Sequence, residues 1–251
     1  MAVQNIRHSA SRFSEAEWQA RVDLAACYRL ADRNRMSKVI WNHITARVPG
    51  EDTLLINRFG MRYDEVTASN LMKIDAQGKP IDGTPEELNF TGYVIHSAVH
   101  DARPEVACVM HTHSRGGQTI SALQCGLLPL CQEAMLYYDA LAYHDYEGLS
   151  DDVDEKDRIA RSLGDKDQMV LRNHGLLTVG RNVAEAYWRM YQLELACLLQ
   201  VEVLSTGQDY TIPPHEVCLK ARQQYIDGKP GFYEWPALLR ELDRSAPDYK
   251  S

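Results

Sequence analysis

The chain contains no run of about eighteen consecutive apolar residues, the length that a membrane-spanning helix needs. Its first residues, Met1 to His8, lack the apolar centre of a secretory signal, so the expected address is the cytoplasm. Basic charge is not in surplus. With 27 Lys and Arg against 35 Asp and Glu, the formal net charge of -8 argues against nucleic acid or an anionic membrane as a partner. None of the six cysteines stands at Cys-x-x-Cys spacing, so a closed, cysteine-held metal site is not expected. Most of them lie in apolar stretches of a chain too long to need disulfide staples, and are expected as reduced core thiols. What remains is a chain of 251 residues, 45% hydrophobic, able to bury one full core and suited to small-molecule chemistry.

The stretch Ala107-Cys108-Val109-Met110-His111-Thr112-His113-Ser114 reads as a β-strand that ends in two imidazoles. Side chains alternate along a strand, so His111 and His113 point the same way, their Cα atoms roughly 6 to 7 Å apart. Two such rings either grip one divalent metal or form the polar end of an apolar strand. A third ring, His174, follows about sixty residues later in a second strand-like run, Met169 to Val179, with Asn173-His174-Gly175 as a kink in its middle. Three imidazoles together make a set suited to zinc or ferrous iron, with a position left open for substrate.

The rest of the chain supplies a frame. Residues 1–13 are polar and aperiodic and read as a flexible arm, ahead of one domain over 14–251. Ser14 to Glu17 form a capping-box signature for a helix to about Asp32, with Trp18, Val22, Ala25, Ala26 and Leu30 on its core face. Strands over 39–48 and 53–57 make a hairpin through Pro49-Gly50, and a short strand over 71–75 follows. The loop Asn57-Arg58-Phe59-Gly60-Met61 is either an anion site or an ordinary turn. Thr91 reads as the N-cap of a helix that stops at Arg103-Pro104; His96 and His100 lie four apart on it, with His100 expected at the solvated face. Ser114-Arg115-Gly116-Gly117 opens a short helix over 118–124 whose polar side chains and free amides suit an anionic substrate group. Leu127 to Tyr137 is apolar apart from Gln132 and Glu133, so Glu133 is either satisfied locally or poised for proton transfer. Ser150 caps a helix to Gly164, and Asn182 with Glu185 starts a buried helix that Gly207 ends. The aromatic tail, Lys229 to Leu239, either docks on a neighbour or closes over its own core.

In the order Asn42-His43-Ile44-Thr45-Ala46-Arg47, then His96 with Arg103-Pro104, then His111-Thr112-His113, then Asn173-His174-Gly175, the chain resembles the class II aldolase/adducin family over roughly residues 15 to 240. Gly92-Tyr93-Val94-Ile95-His96, Cys125-Gly126-Leu127-Leu128-Pro129 and Ala142-Tyr143-His144-Asp145-Tyr146 place the likeness on the adducin-type branch. The resemblance implies an α/β fold, a three-layer α/β/α sandwich with a central, mainly antiparallel sheet, assembled as a homotetramer with sites near subunit boundaries. It implies His111, His113 and His174 as metal ligands, with zinc expected first and iron or manganese as alternatives. It implies Lewis-acid stabilisation of the charge left by carbon–carbon cleavage of a small-molecule substrate. Arg58, Gly60, Thr91 and Ser114 are the expected substrate-binding residues.

The departures from the family pattern shape the functional expectation. The family's aldolases carry an acid/base glutamate four residues before the position of His96, and here that position is Gly92. Glu86 and Glu87 lie six and five residues upstream of it, and Glu133 falls near where the sugar-phosphate aldolases place a catalytic tyrosine. Glu133 is the expected catalytic acid/base. Asn57-Arg58-Phe59-Gly60 and Asn89-Phe90-Thr91 replace the family's hydroxyl-rich phosphate turns, so a carboxylate is expected at Arg58. The leading expectation is a divalent-metal-dependent lyase for a hydroxy-carbonyl or carboxylated substrate. The alternatives are a non-catalytic binding or structural domain like that of adducin, and a ferrous oxygenase or decarboxylase on the same scaffold.

Overall fold

Alternation with period two along short strands gives the sheet two apolar faces, and helices cover both. The computed structural model describes residues 12–83, 88, 90–148 and 155–251, without the side chains of Phe90 and Thr91. Residues 1–11 of the expected arm, Glu86, Glu87, and the expected cap Ser150 lie outside the described residues. Seven strands, β1 (His43–Arg47), β2 (Leu54–Ile56), β3 (Met72–Ile74), β4 (Cys108–Thr112), β5 (Ala142–His144), β6 (Gln168–Leu171) and β7 (Gly175–Gly180), form one sheet in the order β3-β2-β1-β4-β7-β6-β5. Only β5 and β6 pair in parallel.

Ile44, Cys108, Met110, Val170 and Leu176 face one core, into which α1 (Glu15–Arg33), α3 (Arg115–Ser121) and α5 (Val183–Ser205) pack. Val109, Met169, Leu171, Leu177 and Val179 face the other, with α2 (Phe90–Ala102) and α4 (Glu155–Leu163). This is the three-layer α/β/α arrangement expected. Two predicted caps are present: Ser14 accepts from the Glu17 amide at 3.1 Å, and Asn182 from the Glu185 amide at 2.8 Å. Neither glutamate closes a box, because each is drawn to cations; Glu17 accepts from buried Arg21 and from Lys73, both at 2.9 Å.

Several expectations are corrected. The first strand is shorter than 39–48, because the chain turns at Val39, whose φ of +54° breaks extended pairing. Helix α2 begins at Phe90, so Thr91 sits in its first turn and does not cap it. The run 169–179 is a hairpin of β6 and β7 and not one kinked strand. The aromatic tail closes over its own chain through α6 (His215–Asp227) and α7 (Glu234–Ser245), with Trp235, Leu242 and Tyr249 buried. Phe13, at the end of the expected arm, is docked under the Arg21 guanidinium, 3.9 Å from its ring centroid. Among the described residues no helix is long and apolar enough to cross a membrane.

Candidate metal centre

The hairpin turn that separates β6 from β7 is what assembles the site. Leu171 pairs with Gly175, so Arg172-Asn173-His174 forms a three-residue turn, with Asn173 at φ +54°, a conformation asparagine tolerates. Gly175 lets this turn press against β4, since a Cβ there would lie 2.2 Å from the Thr112 carbonyl oxygen. His174 is thereby brought to the end of β4, beside His111 and His113. One ring nitrogen from each of the three lies within 4.8 Å of the others.

The local chemistry suits a divalent ion. His111 Nδ1 is 2.9 Å from the Leu176 carbonyl oxygen and donates to it, which leaves Nε2 bare and fixes the ring. That Nε2 is 2.9 Å from His113 Nε2. Burial, before any charge effect, pushes His113 and His174 down to about 4 and His111 well below the ordinary histidine range. All three rings are therefore neutral at pH 7, the state in which imidazole binds metal. They open onto a cavity of about 410 Å³ that Lys38, Trp41, His43, Gln118 and Tyr146 also line. Among the described residues no carboxylate lines it.

The expected substrate residues are placed differently. Phe59 touches Trp41 with ring centroids 6.0 Å apart, so the loop after β2 backs the cavity rim. Arg58 does not line the cavity and donates to the Asn70 carbonyl at 2.9 Å, and Gly60, at φ +89°, is an exposed turn residue. The side chain of Thr91 lies outside the described residues. Glu133 is not at the cavity; it starts a 3-10 turn over Glu133–Tyr137 that packs on α5 and α6, close to Cys131 and Tyr225. His100 is not solvated but 3% exposed, because Thr45 on β1 offers it a hydrogen bond at 2.9 Å.

Ser114 and the amides at the start of α3 already have an anion, supplied by the protein. Glu194 on α5 accepts from Ser114 Oγ at 2.5 Å and from the Gly116 and Gly117 amides at 2.8 Å each. Burial nevertheless raises its carboxyl, the bonds from Ser114, Gly116 and Gly117 opposing the rise. Free amides at a glycine-rich helix start were legible in the sequence; the partner eighty residues away was not. Glu194→Leu is expected to cost about 3 kcal/mol in urea denaturation, because three donors lose their acceptor. Glu194→Gln, which keeps one acceptor oxygen, is expected to cost about half as much; equal losses would show that the contact is not held by these hydrogen bonds.

Comparison with known proteins agrees with this architecture. The profile of the class II aldolase and adducin N-terminal domain matches residues 22–201. A crystal structure of an aldolase II superfamily protein from Pseudomonas syringae is similar with a TM-score of 0.91 at 46% identity, covering 96% of this chain and 98% of that one. L-fuculose 1-phosphate aldolase from Glaciozyma antarctica PI12 is similar with a TM-score of 0.83 at 26% identity, over 94% and 93% of the two chains. Alpha-adducin of Mus musculus is 41% identical over an alignment of 260 positions that covers 96% of this chain and 35% of the adducin. By the profile match and by these likenesses, the chain belongs to the class II aldolase and adducin family.

Proposed function

We propose that the protein is a divalent-metal-dependent lyase acting on a small hydroxy-carbonyl or carboxylated compound. The observation that carries this reading is the set of three neutral imidazoles, their nitrogens within 4.8 Å of one another, opening onto a cavity of about 410 Å³. His111, His113 and His174 would hold the ion, and an all-nitrogen set suits zinc first, then ferrous iron or manganese. When bound, the ion supplies Lewis acidity, which stabilises negative charge developing on a carbonyl fragment as a carbon–carbon bond breaks. Leu176 holds the His111 proton on Nδ1, so Nε2 is presented without a tautomer change. Lys38, whose charge is felt at His113, sets a cation beside the place where an anionic substrate group would lie. Glu133 is away from the cavity of its own chain, so it could act as acid/base only from a second copy in a homo-oligomer.

A second reading, a non-catalytic binding domain, draws on Gly92 at the glutamate position and on the 41% identity to alpha-adducin. One experiment separates the two. Protein purified without chelator is analysed for metal and then offered hydroxy acids, keto acids and sugar acids. About one divalent ion per chain and metal-dependent release of a carbonyl product are expected. Full metal occupancy without turnover of any compound, with a protein partner co-purifying, would replace the lyase with the binding domain. Oxygen uptake confined to iron-loaded protein would move the reading to an oxygenase.

A further inference from the structure

Besides the three histidines at the cavity, the end of β5 turns another ring on two carboxylates. His144 Nε2 lies 3.6 Å from Glu155 Oε1 and 3.8 Å from Glu147 Oε1. That nitrogen is buried and makes no hydrogen bond; the His144 side chain is 6% exposed, that of Glu155 5% and that of Glu147 30%. The other ring nitrogen, Nδ1, lies 2.9 Å from Ser162 Oγ on α4, the helix that Glu155 opens. One ligand atom from each of His144, Glu147 and Glu155 lies within 4.8 Å of the others.

The two spacings are too long for hydrogen bonds. A ring N–H facing carboxylates, on a neutral or a charged imidazole, draws an oxygen to within about 3.2 Å. A bare nitrogen facing them is repelled, since its lone pair meets negative charge. Two ligand atoms each about 2.1 Å from one ion stand about 3.4 Å apart at the tetrahedral angle and about 4.2 Å apart on opposite sides of it. The spacings of 3.6 and 3.8 Å fall between those limits. An ion of charge +2 also balances two carboxylates that stand beside one ring, and buried charge is costly unless it is paired. Arg158 engages Glu147 from the other side: its Nε and Nη2 each lie 2.6 Å from Oε2, and Oε1 is the oxygen turned to His144. The partial exposure of Glu147 gives an ion a path from solvent.

We propose that His144, Glu147 and Glu155 form a second divalent-cation site, which clasps the segment after β5 to the start of α4. Ser162 accepts the Nδ1 proton of His144 and so presents Nε2 bare to the ion. One nitrogen and two carboxylates make a harder donor set than three imidazoles and suit manganese. Because Arg158 competes for Glu147, the ion is held more loosely than at the three histidines and returns on addition of the metal after purification. The clasp brackets Tyr146, which lines the cavity with its ring centroid 6.4 Å from that of His174, so the bound ion steadies one wall of that cavity.

The test uses full-length protein and manganous ion, with the electron paramagnetic resonance signal of free Mn2+ reporting what remains unbound. Zinc-loaded wild type and His174→Ala, in which the three-histidine set is broken, are each expected to take up about one Mn2+ per chain, so the result does not depend on the lyase reading. The Mn2+ dissociation constant is expected to rise about 100-fold in Glu155→Gln and in His144→Gln, and about 10-fold in Glu147→Gln, whose partly exposed side chain makes it the variant safest to fold. Asp145→Asn, which alters an exposed neighbour outside the set, is expected to bind as wild type does. No uptake by zinc-loaded wild type overturns the proposal, as does equal affinity in wild type, Glu155→Gln and Glu147→Gln. A loss in Asp145→Asn as large as that in Glu155→Gln also overturns it, because the ion would then be held by a diffuse acidic surface.

Discussion

Metal-free protein taken from about pH 7.5 to about pH 5 is expected to lose most of its folding stability. His43, His96, His100 and His111 are buried, and burial above all holds each ring far below its ordinary value, His43 and His100 at about 3. In the unfolded chain the same rings titrate near 6.5. A group depressed on folding contributes fully above its unfolded value, and the contribution is lost as the pH falls from there towards the folded value, since only the unfolded chain takes up the proton. At pH 5 the loss is about 2 kcal/mol for each of His43 and His100, about 4 kcal/mol together, and His96 and His111 add to it in the same direction, a large part of a domain's stability. Glu194 and Asp23, raised by burial, work in the opposite sense and offset a part. Thermal melts followed by circular dichroism at steps between these two pH values check the expectation. A melting temperature that moves by only a few degrees would mean that the folded chain can charge these rings.

His174→Ala is expected to weaken zinc binding about a thousandfold. Closed four-ligand zinc sites bind with roughly 10 to 16 kcal/mol, so each ligand accounts for about 3 to 4 kcal/mol, or two to three powers of ten. The variant should still fold, because His174 stands in a hairpin turn, only partly buried, and its backbone makes the turn. Excess zinc at about a thousand times the dissociation constant adds about 4 kcal/mol to wild-type stability, and that increment should vanish in the variant. Competition with a chromophoric chelator measures the affinity, and paired melts with and without zinc measure the increment. Unchanged affinity would put the ion elsewhere. The other imidazole and carboxylate group among the described residues, His144 with Glu147 and Glu155, would then be the place to look.

Reading the sequence recovered the features that depend on short spacing. His111 near the end of β4 with His113 one residue beyond it, and Ser14 and Asn182 ahead of helices, follow from local geometry and are present in the fold, while the ordered motifs carried the resemblance to the family. Features that depend on what the chain brings back from a distance were not legible. Glu194 was one residue of a long helix until α5 crossed the start of α3, where it takes up the Ser114 hydroxyl and the Gly116 and Gly117 amides. His100 looked solvated because helical spacing says nothing about a threonine on a strand 55 residues away. His174 was expected inside a strand; a glycine that reads as a kink in one dimension is, in three, the residue that lets a turn press against its neighbour. Glu133 was singled out for its apolar surroundings, and those turned out to belong to α5 and α6.

The ring of His43 seated on the backbone of Gly92, where a Cβ would meet its Cδ2 at 2.3 Å, ties the histories of two positions 49 residues apart. A carboxylate arriving at 92 while the imidazole is in place has nowhere to go, and a small residue arriving at 43 alone leaves a buried void and an unanswered nitrogen on His96. A lineage that exchanges one chemistry for the other must therefore change both, and its shortest route passes through a chain that is small at both. Such an intermediate would keep His111, His113 and His174 together while lacking either group beside them. Binding without turnover is then a way-station on that route, and a branch that settled there would have kept the fold and dropped the reaction.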